Sequence, residues 1–191
     1  MSKLLARCWL FLWRWHAVAR AEPVPTHCVM IAAPHTTNWD FPLTLAIAKV
    51  SGVNVSWLGK RALFKGPMGP IMRRLGGVAI DRGAPGGMVA SLADEFRTRD
   101  QLALLVPAEG TRSRTEHWKS GFYRIAEQAD VPIVLAFVDR TTRTGGFGPA
   151  IRATGDIAAD MDLVRAFYAG KEGLKAGRFG PIRLREEAPD G

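Results

Sequence analysis

Cysteine is scarce in this chain: Cys8 and Cys28 are the only two among 191 residues, one in an apolar N-terminal run and one opening a strand-like run. Neither has metal-ligand spacing around it, so no disulfide framework or zinc site is implied. Long apolar runs are also missing. No stretch reaches the roughly 18 residues a bilayer-spanning helix needs, and no small-residue cleavage site follows an uninterrupted apolar segment near the start. The sequence indicates neither export nor a spanning helix. Acid is the charge in short supply, with 18 Asp and Glu against 26 Lys and Arg and a net charge of +8. An anionic partner is therefore expected: nucleic acid, a phosphorylated substrate or a membrane surface. No groove-reading helix or stacking motif is visible, so nucleic acid rests on charge alone and is not expected as a partner. Internal repeats and low-complexity segments are absent as well.

What is present is material for one core. Apolar residues make up 47% of the chain and charged residues 23%, a balance that folds, and the length suits one domain. Residues 4–19 read LLARCWLFLWRWHAVA, with Trp9, Trp13 and Trp15 close together and Lys3, Arg7 and Arg14 near one helical stripe. That pattern predicts an amphipathic helix over 1–20 lying at a headgroup boundary, its arginines facing anionic lipid. A helix packed on its own domain's core stays open. After the turn-rich link 22–25, strand-like runs at 28–33, 53–58, 78–80, 102–106 and 133–138 alternate with helix-period stretches at 41–50, 68–75, 88–97 and 121–129. Strand and helix in turn predict a single layered α/β domain over 21–185, its mostly parallel central sheet flanked by helices. The last dozen residues read as a weak strand followed by a loose tail at 186–191.

Three clusters carry candidate chemistry. The first strand-like run leads into Pro34-His35-Thr36-Thr37-Asn38-Trp39-Asp40. His35 and Asp40 face each other only if the chain bends between them; the carboxylate then holds one imidazole nitrogen and frees the other as a general base. Alternatively, His35 merely satisfies a loop and Asp40 caps a helix. Glu109-Gly110-Thr111-Arg112 follows the run at 102–106, where Gly110 allows a tight turn and Arg112 offers a bidentate guanidinium for an oxyanion. Between Lys60 and Arg82 there are six basic residues, Lys60, Arg61, Lys65, Arg73, Arg74 and Arg82, against the single acid Asp81. In a parallel sheet all three clusters sit at strand ends on one side. His35, Asp40, Glu109 and His117 are metal-ligand types, but their spacing matches no metal site, so none is expected.

Taken in order, the clusters resemble the glycerolipid acyltransferases typified by 1-acylglycerol-3-phosphate acyltransferase. The His-x4-Asp block is His35 to Asp40, the Gly-x4-Arg block is Gly77 to Arg82, the Glu-Gly-Thr-Arg block is Glu109 to Arg112, and the Val-Pro-Ile-Val strand is Val131 to Val134. The sequence departs from the family in its short segment before the first Pro-rich link and in Leu135-Ala136-Phe137, where many members carry another proline. The resemblance implies that His35, oriented by Asp40, deprotonates a lysophospholipid hydroxyl, most simply that of 1-acylglycerol-3-phosphate, which attacks an acyl-CoA or acyl carrier protein thioester. Glycerol-3-phosphate or a lyso-aminolipid are the other acceptors it admits. Lys60, Arg82 and Arg112 would hold the acceptor phosphate, with Glu109, Gly110 and Thr111 shaping that loop, and no cofactor would be needed beyond the thioester co-substrate. The enzyme would sit peripherally on the cytoplasmic face of a membrane. A non-catalytic protein that binds anionic lipid surfaces is the alternative.

Overall fold

The computed structural model describes residues 2–20, 22–80 and 87–187. In chain order the elements are α1 (Lys3–Leu12), β1 (His16–Ala17), β2 (His27–Ala33), α2 (Asp40–Ser51), β3 (Ser56–Lys60), a 3₁₀ turn (Arg61–Phe64), α3 (Met68–Arg74), β4 (Gly77–Ile80), α4 (Gly87–Thr98), β5 (Leu102–Val106), α5 (Gly121–Ala129), β6 (Ile133–Asp139), β7 (Thr144–Ile151), α6 (Ile157–Tyr168) and a closing 3₁₀ turn (Arg185–Glu187). The strands form one sheet in the order β1-β7-β6-β2-β5-β3-β4. Every pairing is parallel except that of β6 with β7. This is the layered α/β domain expected from the alternation of strand and helix.

The central strands are apolar throughout because both faces are covered, yet a period of two is hidden in them. Val29 and Ile31 of β2, Leu102 and Leu104 of β5, and Ile133 and Leu135 of β6 point to one face, where they meet Leu92 and Phe96 of α4, Phe122 and Ile125 of α5, and Met161, Val164 and Tyr168 of α6. Cys28, Met30, Ala103, Leu105, Val134 and Ala136 point to the other, under Ala6 and Leu10 of α1 and Leu43, Ala46 and Ile47 of α2. Helix ends follow their residues: Ser2 caps α1 through Leu5 N–H at 3.2 Å, and Asp156 caps α6 through Ala159 N–H at 3.1 Å.

The structure corrects several expectations. The helix expected over 4–19 stops at Leu12: Trp13 caps it and Arg14 takes a left-handed φ of 57°. The reversal lets His16 N–H donate to Arg143 O (3.0 Å) and Val18 N–H to Gly145 O (2.8 Å), so sheet pairing replaces further helix. The helix packs on its own domain through Ala6 and Leu10, while Leu4, Leu5, Phe11, Leu12 and Trp13 stay exposed. The strand expected at 53–58 lies at Ser56–Lys60. β7 and α6 were not anticipated. Glycines at 145, 146 and 148 and Pro149 hide β7 from any β-type pattern, although a side chain at Gly148 would run into the Phe167 ring of α6. No strand forms among described residues 179–187. Nor are Glu186 and Glu187 loose: Glu186 accepts from Ser120 and Arg124, and Glu187 pairs with Arg165.

Candidate active site

β2 delivers its chain end between β5 and β6, at the carboxyl edge of the parallel strands where open α/β sheets place ligands. The loop bends there as the His35–Asp40 pairing requires. Asp40 is the first residue of α2, 3% exposed, and its carboxylate reaches back into the loop. Oδ2 accepts the N–H groups of Thr36 (2.5 Å) and Thr37 (2.6 Å), Oδ1 accepts the Thr37 hydroxyl (3.2 Å), and His35 Nδ1 lies 3.3 Å from Oδ2. A buried carboxylate with that many donors is well satisfied, and its charge sits favourably at a helix N-terminus. His35 Nε2 makes no hydrogen bond among the described residues. An imidazole held at Nδ1 by a carboxylate presents Nε2 as a proton acceptor.

Glu109, 2% exposed, arrives from the loop after β5. Its Oε1 and Oε2 lie 3.0 and 3.2 Å from His35 N, whose N–H donates to them. Two carboxyl groups thus grip one histidine, Asp40 by the ring and Glu109 by the backbone. Burial pushes the Glu109 carboxyl up to about 8; the His35 amide opposes this and the negative charge of Asp40 adds to it. Gly110 then turns with φ of 66° and donates its N–H to Pro107 O at 3.0 Å. Thr111 accepts Ser113 N–H at 3.2 Å, and both Thr111 and Arg112 face solvent.

His35, Asp40, Glu109 and the Gly110–Arg112 turn are therefore brought together. Lys60 closes β3, exposed and on the far side of β5 from the strand of His35. Arg82 lies outside the described residues. Among the described residues, no group of three or more His, Cys, Asp or Glu stands ready to hold a metal ion. Cys28 is buried and donates to Pro25 O at 3.2 Å, and burial pushes its thiol up to about 12, far from a reactive thiolate.

An apolar cavity of about 310 Å³ opens beside His35, walled by Ala33, Phe41, Trp57, Leu105 and Phe137, with Asn38 and Asp40 at its polar end. A larger hollow of about 870 Å³, lined by Arg20, Lys49, Val53 and Arg74 among others, lies at the amino ends of the strands and touches none of the candidate residues. The smaller cavity is the one beside the chemistry.

Sequence reasoning missed the segment after α6, which crosses over the site. Lys175 N–H donates to the hydroxyl of fully buried Thr36 at 3.0 Å. A side chain at Gly173 would strike that same threonine. Arg178 reaches Thr36 O at 3.5 Å and Arg112 O at 3.4 Å, touching both loops at once. The glycine-rich sequence of this segment gave no periodic signal.

A family model described as Acyltransferase matches residues 16–138. No curated protein matches the chain. Among solved structures, the 1-acyl-sn-glycerophosphate acyltransferase PlsC of Thermotoga maritima superposes with a TM-score of 0.61 at 14% identity, over 91% of this chain and 78% of that one. That likeness is one of fold. The match at residues 16–138 takes in β2, the His35 loop, Glu109 and all of β6 but its last residue, and leaves α6 and the crossing segment outside it.

Proposed function

Because this chain belongs to the acyltransferase family, we propose that it moves a fatty acyl group from an acyl-CoA or acyl carrier protein thioester to the hydroxyl of a lysophospholipid, 1-acylglycerol-3-phosphate before others. The observation that carries the reading is the doubly held histidine: Nδ1 lies 3.3 Å from Asp40, the backbone N–H is bonded to buried Glu109, and Nε2, without a hydrogen bond among the described residues, sits at the rim of an apolar cavity. His35 Nε2 takes the proton of the acceptor hydroxyl as its oxygen attacks the thioester carbonyl. The tetrahedral adduct collapses, the C–S bond breaks, and the thiolate leaves with the proton from the imidazolium. The acyl group goes directly to the acceptor, because neither cysteine is placed as a nucleophile beside His35. Asp40 supports the imidazolium while it lasts.

Arg112 and Arg82, whose guanidinium groups pair with phosphate in a bidentate way, are the proposed phosphate ligands together with the ammonium of Lys60, and the Glu109–Thr111 turn sets the position of Arg112. The cavity beside His35 would take the apolar part of a substrate. The exposed Leu5, Phe11, Leu12 and Trp13 of α1 and its cap, with Lys3, Arg7 and Arg14, would rest on the cytoplasmic face of a membrane. No helix among the described residues is long and apolar enough to cross one.

The test is an acceptor panel with purified protein. It comprises 1-acylglycerol-3-phosphate, glycerol-3-phosphate, a lyso-aminolipid and a phosphate-free monoacylglycerol, each with acyl-CoA and with acyl carrier protein as donor. Transfer to 1-acylglycerol-3-phosphate with the highest kcat/KM is expected. Preference for another phosphorylated acceptor would change the substrate, and preference for the phosphate-free one would overturn the role of the cations. Vesicle binding without transfer to any acceptor would leave the non-catalytic reading.

A further inference from the structure

The segment from Lys60 to Ile80 contains Lys60, Arg61, Lys65, Arg73 and Arg74 and no acidic residue. Folding gives it two sides. Inward, the Phe64 ring stacks at 6.1 Å from Trp57, and Arg73 donates to Phe64 O at 3.3 Å. Outward, Met68, Ile71 and Leu75 stand in a row along α3 and its cap, 53%, 52% and 40% exposed, with Leu63 of the preceding turn 45% exposed. Single exposed apolar residues are ordinary; a row at three- and four-residue spacing beside Lys65 and Arg74, which have no ion-pair partner among the described residues, is an interaction surface.

We propose that residues 61–75 form a second bilayer contact, separate from α1, with the Leu63–Met68–Ile71–Leu75 row entering the headgroup boundary of an anionic membrane and Lys65 and Arg74 meeting lipid phosphates. The proposal rests on the reading of the chain as a lipid acyltransferase. Charge complementarity selects the occupant. A second copy docked face to face would set segment 60–80, which carries no acidic residue, against itself, where like charges repel. An acidic carrier protein would satisfy the cations but leave the apolar row in a polar contact. An anionic bilayer takes both, because the interface offers phosphates at one depth and acyl chain just below.

Placement supports the same conclusion. Ring contacts run from Trp13 to Trp39 at 6.4 Å, from Phe41 to Trp57 at 5.1 Å and from Trp57 to Phe64 at 6.1 Å. Phe41 and Trp57 also wall the cavity beside His35. The cavity is therefore bracketed by the exposed end of α1 on one side and by residues 61–75 on the other. A protein resting on both contacts would present its catalytic cavity to lipid still in the membrane.

The experiment measures binding of the full chain to phosphatidylcholine vesicles with and without phosphatidylglycerol. Ile71→Glu is expected to weaken binding to the anionic vesicles roughly tenfold or more, with an unchanged circular dichroism spectrum and unchanged transfer to a soluble short-chain acceptor. An environment-sensitive fluorophore at Ile71→Cys, in a Cys8→Ser background, should shift to the blue on adding the same vesicles, which tests the surface even if the glutamate variant misfolds. Wild-type binding by Ile71→Glu, or a fluorophore that stays in water, overturns the proposal. It is equally overturned if Ile71→Glu keeps the vesicles but loses self-association or binding to acyl carrier protein. Binding is read without acyl transfer, so a chain inactive on every acceptor whose Ile71→Glu form still leaves vesicles defeats the acyltransferase reading and keeps this surface.

Discussion

His35 is held by two carboxyl groups that do different work, and substitution separates them. His35→Ala removes the proposed proton acceptor and should cost on the order of 10²–10⁴ in kcat with an unchanged circular dichroism spectrum; turnover near that of the wild type would end the mechanism. Asp40→Asn should fall almost as far and also loosen the loop, because the carboxylate serves the Thr36 and Thr37 amides as well as the imidazole. Glu109 predicts a pH dependence of stability. Its carboxyl titrates near 4.5 in the unfolded chain and about 8 in the folded one, burial being the main cause. Between those values the folded state binds more protons, so stability is fully present below about 4.5 and drains away as the pH rises to about 8. Glu109→Gln, which stays neutral, should remove that slope; urea midpoints of the two proteins measured across this window should diverge upward with pH. Parallel curves would mean that Glu109 is ionised in the fold at neutral pH. Arg112→Ala tests the proposed phosphate site: loss of a charge-assisted contact of about 1.5–3 kcal/mol should raise the acceptor KM roughly ten- to hundredfold and leave the donor KM near its wild-type value. A rise in the donor KM alone would assign Arg112 to the phosphates of CoA.

Elements were legible where a local pattern coincided with a buried one. β2, β5 and β6 are short apolar runs bounded by turn residues, and α5 and α2 show helical spacing, so the parallel core and the meeting of the His35 and Glu109 loops at its carboxyl edge could be argued from the chain alone. What escaped was decided by tertiary contact. The helix expected through residue 19 ends at Leu12 because β1 gains a neighbour in β7, a strand whose own glycines conceal it. The grip of Glu109 on the His35 amide spans 74 residues and leaves no trace in either local sequence. The segment after α6 is the plainest case: Lys175 and Arg178 meet Thr36 across more than a hundred residues. Arg178→Ala should therefore speed hydrogen exchange at the 34–40 and 109–114 loops and lower kcat, while the melting temperature changes little, as partly exposed hydrogen bonds of this kind contribute about 1 kcal/mol or less. Unchanged exchange in both loops would show that the segment merely passes over the site.

At the scale of the molecule, the question is how a domain with no spanning helix among its described residues would stay at a membrane that holds the lipid substrate proposed for it. α1 cannot act as a detachable anchor, because Ala6 and Leu10 belong to the core under α2 and the chain beyond it joins the sheet. Deleting residues 1–20 would expose that face and cost the fold, so it tests nothing about membranes. The remaining means are the net charge of +8 and shallow insertion of exposed apolar side chains, and the two respond differently to salt. Raising ionic strength from about 0.1 M to about 1 M shortens the screening length from about 10 Å to about 3 Å and leaves apolar insertion intact or strengthened. Binding to anionic vesicles should therefore fall steeply over that range and level off at a residual hold. Phe11→Gln, at an exposed site on α1 that leaves the buried stripe untouched and the net charge unchanged, should lower this high-salt residue with little effect on the salt-sensitive part. Vesicle co-sedimentation over a salt series with both proteins makes the comparison. Binding that ignores both salt and lipid charge would mean that the positive excess serves the substrate phosphates alone, and equal high-salt residues in the two proteins would remove α1 from the membrane contact.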